Sequence, residues 1–323
     1  MKRIGALVAC CAAVCLAVVL AGCSTSESYT PPEKTPVVTS PAIGKDGTLR
    51  VGVNTKNTPL AGMVSNKIVG LDVDIAAALA DELGLKLEII DVGTDPEGAL
   101  ADKKVDVVMG IDKSDSSTTF WTSEYYLPTA VAVFSTTPNA AVPTKAAAPK
   151  IAAQVSSKSA WAISNEFGEE ALSASDDLKG AFAALQSGQV QYAAADAVIG
   201  TYAANSAGID VSIVALMQQP GGYGIGVLDA NTDLKTAVSE AVSKLTTNGV
   251  ISIIETKWLG GPLDLANVPL TEGAVAPAKS TTTPTATTPA AGEPAAEGDA
   301  AGESAEGGDV AEAAGGNAVK PAA

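Results

Sequence analysis

The sequence predicts an α/β protein built from two similar lobes with a ligand cleft between them. Residues 49–53 and 86–92 are short apolar strands on either side of a helical segment, which is a β-α-β signature. A helix-turn-strand pattern at residues 99–108 recurs about 85 positions later, at 184–193. Such a repeat indicates two lobes of one architecture, and small ligands bind between lobes by closure. Chance similarity of alanine-rich helices is the alternative.

The N-terminus has the features of a lipoprotein signal peptide. Two basic residues precede an apolar run at residues 4–20, and the run ends in Leu-Ala-Gly before Cys23. We therefore predict a signal peptide at residues 1–22 and a lipid anchor on Cys23, where two acyl chains give stable membrane residence. An uncleaved anchor helix is the alternative, but it needs about 20 apolar residues, more than this run has.

Composition excludes several classes of function. All four cysteines lie at or before the predicted cleavage site, and the chain has no histidine. The mature chain then forms no internal disulfide, and we expect no metal site, no cofactor and no nucleophile activated by histidine. The net charge of -16 and the absence of a basic cluster argue against a nucleic-acid partner.

Two low-complexity segments flank the predicted folded body. Residues 23–45 are rich in proline, serine and threonine, and such sequences favour extended conformations at roughly 3 Å per residue, so we expect a tether. Residues 271–323 have no aromatic side chain and predict a disordered tail, with O-linked sugars on its threonines as an alternative use. Nothing in the body between them indicates oligomerisation, and we expect a monomer.

The segment at residues 70–84 predicts an amphipathic helix. Apolar side chains recur at three- and four-residue spacing, and Gly84 suits a C-terminal cap. Asp72 and Asp74 lie in the first turn, where the helix dipole favours carboxylates. The predicted apolar stripe consists of Val73, Ala76, Ala77, Ala80 and Leu83.

The same segment carries a family resemblance. The pattern Gly-apolar-Asp-apolar-Asp-apolar, followed by Leu79-Ala80 and then Leu83, resembles the signature helix of the family 3 extracellular solute-binding proteins, the receptors of polar amino-acid ABC importers. Further landmarks follow in the family's order: Tyr125-Tyr126, Tyr223-Gly224-Ile225-Gly226-Val227 and residues 249–258. The resemblance covers residues 47–261, about two thirds of the chain.

The resemblance implies a fold, a role and a location. The fold is the two-lobed periplasmic-binding-protein-like fold (type II), with a mixed sheet flanked by helices in each lobe. Lobe 1 comprises residues 46–131 and 223–270, lobe 2 comprises residues 132–222, and residues 130–135 form the first crossing strand. The implied protein is not an enzyme: it binds a small polar solute on the outer face of the membrane and works with an ABC permease and ATPase.

Asp196 is the principal candidate for solute binding. By resemblance to the family, it is the carboxylate that meets the ammonium of the solute. Its position agrees, because Asp196 ends a predicted apolar strand and precedes a helix, and strand ends face the cleft in α/β lobes. A simple N-cap of the following helix is the alternative. By contrast, we expect Asp72 and Asp74 to be structural.

The loop at residues 111–118 departs from the family pattern. Relatives carry an arginine there that binds the solute carboxylate, whereas this chain has none, and the equivalent place falls near Ser116. Lys113 is the available cation, although an ammonium does not reproduce the guanidinium fork. The acidic residues here and at Asp196 suggest a cationic solute, with solvated loop carboxylates as the alternative. The candidate contacts in this loop are Asp112, Ser114 and Ser116.

Other candidates follow from the family's aromatic stack and from a second anion site. The first loop, residues 54–63, has no aromatic side chain, so Trp121 or Trp161 would have to supply a ring; a core position is the alternative for each. Ser157 and Ser159 precede or begin a helix, where hydroxyl and amide groups bind an anion or simply cap the helix.

Three functions remain compatible with the sequence. The first is a lipid-anchored receptor that delivers a solute to a permease. The second is an envelope or signalling lipoprotein whose cleft no longer serves transport. The third is a dehydratase-like enzyme on the same scaffold, in which an acid role would fall to Glu124 or Asp112 because no histidine is present.

Overall fold

The computed structural model describes residues 34–113 and 119–275. The chain divides into two units, residues 1–280 and 281–323, and every described residue belongs to the first. The described helices are α1 (Leu71–Glu82), α2 (Pro96–Ala101), α3 (Lys158–Phe167), α4 (Leu178–Gln186), α5 (Ala197–Ser206), α6 (Thr232–Thr247) and α7 (Val250–Leu259). The described strands are β1 (Thr48–Val53), β2 (Gly62–Val64), β3 (Lys67–Val69), β4 (Lys86–Asp91), β5 (Val107–Asp112), β6 (Trp121–Thr122), β7 (Leu127–Thr129), β8 (Val131–Ser135), β9 (Ile151–Gln154), β10 (Leu172–Ser175), β11 (Tyr192–Asp196), β12 (Ser212–Gln218), β13 (Gly221–Val227) and β14 (Leu270–Val275).

Lobe 1 is built on a mixed sheet with strand order β4-β1-β5-β13-β6, and β7 also pairs with β13. The predicted β-α-β unit is present: β1 and β4 are parallel, in register from Thr48 opposite Lys86 to Val53 opposite Asp91. Helices α1, α6 and α7 pack together over one core cluster with this sheet. The α/β prediction is confirmed for this lobe.

Helix α1 confirms the predicted helix and part of its predicted stripe, since Ala76, Ala80 and Leu83 are buried. The buried face also includes Leu71, Ile75 and Leu79, whereas Ala77 of the predicted stripe is exposed. The helix is apolar on most sides, so spacing alone did not select a face, and burial of the larger side chains removes more apolar area from water. At its start, a Cβ on Gly70 would lie 2.1 Å from the Leu60 carbonyl oxygen, which requires glycine there.

Lobe 2 has its own mixed sheet, with strand order β10-β9-β11-β8-β12-β14. Helices α3, α4 and α5 pack against it. Phe134 on β8 and Phe182 on α4 are fully buried and meet edge to face, with ring centroids 5.3 Å apart. Burial of each ring stabilises the lobe by about 1.5–3 kcal/mol.

The repeated helix-turn-strand unit occurs once in each lobe with the same turn. Helix α2 leads into β5 in lobe 1, and α4 leads into β11 in lobe 2. Lys103 and Gly188 take the positive-φ position of the two turns, with φ of 55° and 73° in the left-handed region. The amide that follows each of them bonds back to the helix, Lys104 to the Ala99 carbonyl and Gln189 to the Ala184 carbonyl, each at 3.0 Å.

The chain passes between the two sheets at Ala130, between β7 and β8, and again at residues 219–220, between β12 and β13. It then passes a third time, because β14 follows α7 and joins the lobe 2 sheet beside β12. The predicted tail therefore begins too early at residue 271. Thr271 is buried, and Leu265, placed in lobe 1 by prediction, lies in the lobe 2 core.

The predicted tether also extends too far toward the body. Val38 and Ile43 are buried in the lobe 1 core, and the Val37 amide donates to the Leu83 carbonyl at 2.9 Å. Asn231 ties the same segment to the start of α6 through a bond to the Ala42 carbonyl. Apolar side chains spaced among the prolines pack on the lobe, and composition alone does not reveal this.

Candidate functional site

A cavity of about 300 Å³ lies between the lobes. Lobe 1 contributes residues from the first loop and from β5 and β13, and lobe 2 contributes the start of α3 and the end of β11. The polar side chains of its wall include Asn57, Asp112 and Tyr223 from lobe 1, and Ser157, Lys158 and Asp196 from lobe 2. The cavity is the size of sites that hold small molecules.

Asp196 ends β11 and caps α5. Its Oδ1 accepts hydrogen bonds from the amides of Val198 and Ile199 at 2.9 and 3.0 Å. These are amide groups that a helix leaves without partners in its first turn. The capping alternative is therefore present in the structure, and Asp196 also faces the cavity.

The other oxygen of Asp196 joins the two lobes. Its Oδ2 accepts from the hydroxyls of Thr129 at 2.6 Å and Tyr223 at 2.9 Å, which lie on β7 and β13 of lobe 1. Burial raises the pKa of the Asp196 carboxyl, the hydrogen bonds from Thr129, Ile199 and Tyr223 oppose the rise, and nearby Asp112 adds to it. Burial likewise raises the pKa of the Tyr223 hydroxyl well above its ordinary value.

Asp112 and Lys158 form an ion pair across the cleft. Asp112 ends β5 in lobe 1, Lys158 begins α3 in lobe 2, and the Lys158 Nζ lies 2.9 Å from Asp112 Oδ2. Lys113, the cation expected from the sequence, instead has its Nζ 3.7 Å from Glu124 Oε2, and the Glu124 side chain is 90% exposed. Lys113 therefore does not line the cavity, whereas Asp112, one position earlier at the end of β5, does.

The serine candidates divide into those the structure places and those it does not. Ser157 caps α3: its Oγ accepts from the Ala160 amide at 3.0 Å and donates to the Gln154 carbonyl at 2.7 Å. Ser159 lines the cavity and is 4% exposed. Ser114 and Ser116 lie outside the described residues, as does the predicted anchor Cys23.

Neither tryptophan candidate lines the cavity. Trp121 lies on β6, pairs with Val227 of β13 and packs against the lobe 1 core, so the structure supports its core alternative. Trp161 lies on α3 with 74% of its surface exposed. The described residues around the cavity include no tryptophan ring that stacks on a solute.

Asp72 and Asp74 have structural partners, as predicted. Asp72 is buried and accepts from the Tyr126 hydroxyl at 2.6 Å, and that hydroxyl accepts from the amide of Gly110 on the cavity wall. Burial raises the pKa of Asp72 to about 7, against the hydrogen bond from Tyr126. Asp74 accepts from Trp258 Nε1 at 2.6 Å, which ties α1 to α7.

The family-model comparison identifies the chain's family. Residues 49–261 match the model of the bacterial extracellular solute-binding proteins, family 3. The chain belongs to this family. Family 3 proteins are extracytoplasmic, and they bind small polar solutes for ABC transporters.

Solved structures similar to this family 3 protein have the type II fold predicted from the sequence. They include the L-cystine solute receptor of Neisseria gonorrhoeae (20% identity, TM-score 0.58, covering 68% of this chain and 95% of that one). A polar amino acid ABC uptake transporter substrate binding protein from Streptococcus thermophilus matches at 17% identity and a TM-score of 0.57 (68% and 89%). An ancestral cationic amino acid solute binding protein matches at 23% identity and 0.57 (66% and 96%). No curated protein matches the sequence.

Sequence reasoning missed three polar groups of the cleft of this family 3 protein: Thr129, Asn57 and Lys158. Thr129 precedes the first crossing, and nothing in its local sequence indicates that it bonds to a residue 67 positions away. Lys158 was visible only as one residue of a serine-rich helix start. Tyr223 was recognised as a landmark of the returning strand, but its bond to Asp196 depends on how the lobes meet.

Residues 34–113 and 119–275 contain neither a cluster of metal-ligating side chains nor a membrane-spanning helix. In these ranges, no three side chains among histidine, cysteine, aspartate and glutamate are grouped to hold a metal ion. Within the same ranges, every helix is too short or too polar to span a membrane.

Proposed function

We propose that this protein is a lipid-anchored receptor that binds a small polar solute bearing an amino group and delivers it to an ABC importer. Family membership supports the solute-binding role, and the lipoprotein pattern that ends at Cys23 supports the anchor. Closure of the two lobes around the solute is the binding movement that this architecture favours.

The acidic wall of the cleft carries the proposal. Asp112 comes from lobe 1 and Asp196 from lobe 2, and both line the same cavity. A closed site is a low-dielectric environment in which carboxylates require cationic or hydrogen-bonding partners. Lys158 and four protein donors already bond to these residues, and we infer that an ammonium group placed between them adds a cation that both lobes stabilise.

The lining of the cavity narrows the kind of solute. The described residues that line it include no tryptophan and no arginine, and the hydroxyl of its one aromatic side chain, Tyr223, is bonded to Asp196, so we infer that the solute is recognised by charge and hydrogen bonding rather than by stacking. Asn57 of lobe 1 and Ser159 of lobe 2 add neutral polar groups to the lining. We therefore favour a compact amino acid or related amine over a solute with a large apolar group.

Thermal shift tests the binding proposal. The full chain, expressed with Cys23→Ser to avoid lipidation, is screened against amino acids, polyamines and short peptides. A bound solute at a hundred times its Kd adds about 2.7 kcal/mol to the free energy of unfolding, which raises the melting temperature. Asp196→Asn should remove the shift for an amino-bearing solute, and a variant with unchanged affinity contradicts this assignment.

A separate experiment tests the anchor. A palmitate analogue should be incorporated into wild type but not into Cys23→Ser.

A second function is favoured by the internal pairing of the cleft. Asp196 already accepts four hydrogen bonds from the protein, and Asp112 already pairs with Lys158. Such pairing also suits an envelope or signalling lipoprotein whose cleft takes no solute. In that case no compound in the screen shifts the melting temperature.

For the enzyme alternative, the exposed Glu124 lies outside the cavity lining. Turnover of a bound solute is the result that would support an enzyme.

A further inference from the structure

A buried carboxyl group that the proposed binding role does not use lies against the lobe 1 wall of the cavity. Gly110 of β5 lines the cavity, and a Cβ built on it would lie 2.8 Å from Asp72 Oδ2. Asp72 itself is 3% exposed. The Asp72 carboxyl group therefore packs directly against a wall residue, and the absence of a side chain at Gly110 leaves room for it.

A chain of hydrogen bonds joins Asp72 to the same wall residue. The Tyr126 hydroxyl donates to Asp72 Oδ1 at 2.6 Å and accepts from the Gly110 amide at 2.9 Å. Tyr126 is buried, as Asp72 is. Because Oδ1 accepts the Tyr126 proton, the proton of a neutral Asp72 carboxyl group belongs on Oδ2, the oxygen that faces Gly110.

The charge of Asp72 acts on a group that lines the cavity. Tyr223 lies in the lining, and its pKa is raised first by burial and then by the negative charges of Asp196, Asp112 and Asp72. Asp72 thus belongs to one group of interacting carboxylates with Asp112 and Asp196, although it does not itself line the cavity. A positive charge in the cavity acts on Asp72 in return.

Asp72 carries out this role without a cation of its own. Among residues 34–113 and 119–275, its side chain bonds to Tyr126 alone, and burial raises its pKa to about 7 against that bond. Helix α1 packs against β1, β3, β4, β5, α6 and α7. The cations on these elements are paired elsewhere or exposed: Arg50 with Asp106, Lys235 with Asp229, Lys244 with Glu82 and Lys257 with Asp74, and the exposed Lys67 and Lys86. The acidic groups on them are Glu88, Asp91, Asp112, Asp233, Glu240 and Glu255.

We propose that Asp72 is a proton-linked specificity residue of the cleft: a cationic solute bound beside Gly110 stabilises the Asp72 carboxylate, and Asp72 gives up its proton as the solute enters. The O–H bond at Oδ2 breaks, its electron pair stays on the carboxylate, and the proton passes to water. The inference rests on the proposed function and adds the net charge of the solute. A solute with a net positive charge gains from the ionised Asp72, whereas a neutral analogue of the same shape gains far less.

The linkage predicts tighter binding of cations at higher pH. A cation about 10 Å from a carboxylate, at an effective dielectric constant of about 20, favours ionisation by roughly tenfold. Below about pH 7 the free protein holds the Asp72 proton, and the complex releases it more readily. Proton release and affinity are linked, so the association constant of a cation should rise by about tenfold between pH 5 and 8.

Calorimetry with a matched pair of solutes tests this linkage. Arginine and citrulline have the same amino and carboxyl groups, so titration of those groups cancels in the ratio of their association constants. With the full chain carrying Cys23→Ser, that ratio should rise by about tenfold from pH 5 to 8. Asp72→Asn, which has the shape of the neutral acid at every pH, should remove most of the rise. Putrescine serves as a second cation.

Proton counting gives an independent measurement. Titrations at pH 6.5 in phosphate and in ACES, two buffers that differ in ionisation enthalpy, give the number of protons released on binding. Arginine should release more protons from wild type than from Asp72→Asn. Asp74→Asn is the matched control, because Asp74 lies on the same helix and bonds to Trp258 outside the Tyr126 chain. It should keep the wild-type pH profile and proton count.

Tyr126→Phe is a second variant that tests the linkage even where Asp72→Asn does not fold. It deletes the hydrogen bond that lowers the pKa of Asp72, so the rise in affinity should move to higher pH. A merely structural role of the Tyr126 bond would change the affinity equally at every pH. An unmoved profile in Tyr126→Phe therefore contradicts the proposal.

The outcomes separate this linkage from the proposed function. Equal pH profiles and proton counts in wild type and Asp72→Asn, or an equal rise for citrulline and arginine, overturn the linkage while a binding receptor remains. The same holds when neither arginine nor putrescine binds wild type at pH 8 but a solute without net positive charge does. When no solute binds wild type, both the linkage and the proposed function fail.

Discussion

At the scale of single residues, three carboxylates of this protein differ in how deeply they are buried and in which groups stabilise their charge. Asp72 is 3% exposed and has a hydroxyl partner, whereas Asp74 is partly exposed and meets both a cation and an indole N–H. Asp196 lies between these cases, since the described residues that donate to it are four neutral groups and include no cation. Neutral donors leave a buried negative charge less stabilised than an ion pair does, which is consistent with raised pKa values at Asp72 and Asp196.

Asp72 gives a prediction about pH. Its pKa rises from 3.8 to about 7 on folding, so between these values the native state binds more protons than the unfolded state. The free energy of unfolding therefore falls as the pH rises from about 4 to 7, by up to about 4 kcal/mol at 1.36 kcal/mol per unit, and is constant above. Asp72→Asn should remove this part of the slope. Urea unfolding of both proteins at pH 4.5 and 8 measures it.

Asp74→Asn is the control for that experiment, because it removes a carboxylate from the same helix outside the buried Tyr126 network. It should leave the slope in place. Burial also raises the pKa of Asp196 and Glu255, so Asp72→Asn is expected to keep a smaller slope of the same sign. An unchanged slope in Asp72→Asn contradicts the assignment.

Tyr223 gives a second prediction at this scale. Tyr223→Phe deletes the hydroxyl that donates to Asp196 at 2.9 Å, and Tyr223 is only 5% exposed. We expect the free energy of unfolding to fall by about 1.5–3 kcal/mol. Tyr192→Phe is the control, since the Tyr192 hydroxyl donates to the Ala141 carbonyl at an exposed position and should cost much less. If both variants lose the same free energy of unfolding in urea, the hydrogen bond from Tyr223 to Asp196 stabilises the protein no more than an exposed hydrogen bond does.

At the scale of elements, β14 is the addition that the sequence did not predict. Its residues lie beyond the end of the family match at residue 261, and the strand extends the lobe 2 sheet beside β12. Glu166 on α3 holds it, accepting from the Thr271 hydroxyl at 2.7 Å and from the Gly273 amide at 2.9 Å. One carboxylate thus links the strand to a helix of the same lobe that begins at the cleft.

Gly273 tests this attachment. A Cβ added there would lie 2.6 Å from Glu166 Cγ, so Gly273→Ala should push the carboxylate away and break both bonds. We expect faster amide hydrogen exchange across residues 270–275 and a loss of about 1–3 kcal/mol in the free energy of unfolding. Gly261→Ala, which has no atom within 4 Å of the added Cβ, should change neither. Unchanged exchange in Gly273→Ala would contradict the role of Glu166.

At the scale of the whole molecule, the described lobes are connected by more than the two crossings expected for the fold. The segment after α7 returns to lobe 2, and the Asn205 side chain of α5 donates to the Leu259 carbonyl at the end of α7. The rings of Tyr202 and Trp258 also meet, at 6.3 Å between centroids. These contacts fix one side of the molecule, so relative motion of the lobes is expected at the side that holds Asp112 and Lys158.

Shortening the chain after the last described strand gives a prediction for the whole molecule. The family match ends at residue 261 and the last described strand ends at Val275. A chain that stops after residue 280 should keep the melting temperature and the solute-induced shift of the full chain, because its fold and cleft lie within the first unit. A lower melting temperature for the shortened chain would show that residues 281–323 contribute to folding stability.

The sequence by itself determined the fold class, the family, the β-α-β unit and the strand-end position of Asp196. These follow from periodicity, helix-cap residues and motif order, which depend on neighbours within a few positions along the chain. It also identified the missing arginine, because an absence from a motif is visible without coordinates.

Only the tertiary structure decided how the cleft is paired and where the folded body ends. The partners are far apart in the sequence. Asp112 and Lys158 are separated by 46 positions, Asp196 and Thr129 are separated by 67, and β14 pairs with a strand more than 50 positions earlier. Such contacts depend on how two lobes and a returning segment are placed in space. Local propensity carries no information on that placement, so the partners of the cleft charges could not be read from their own surroundings in the sequence.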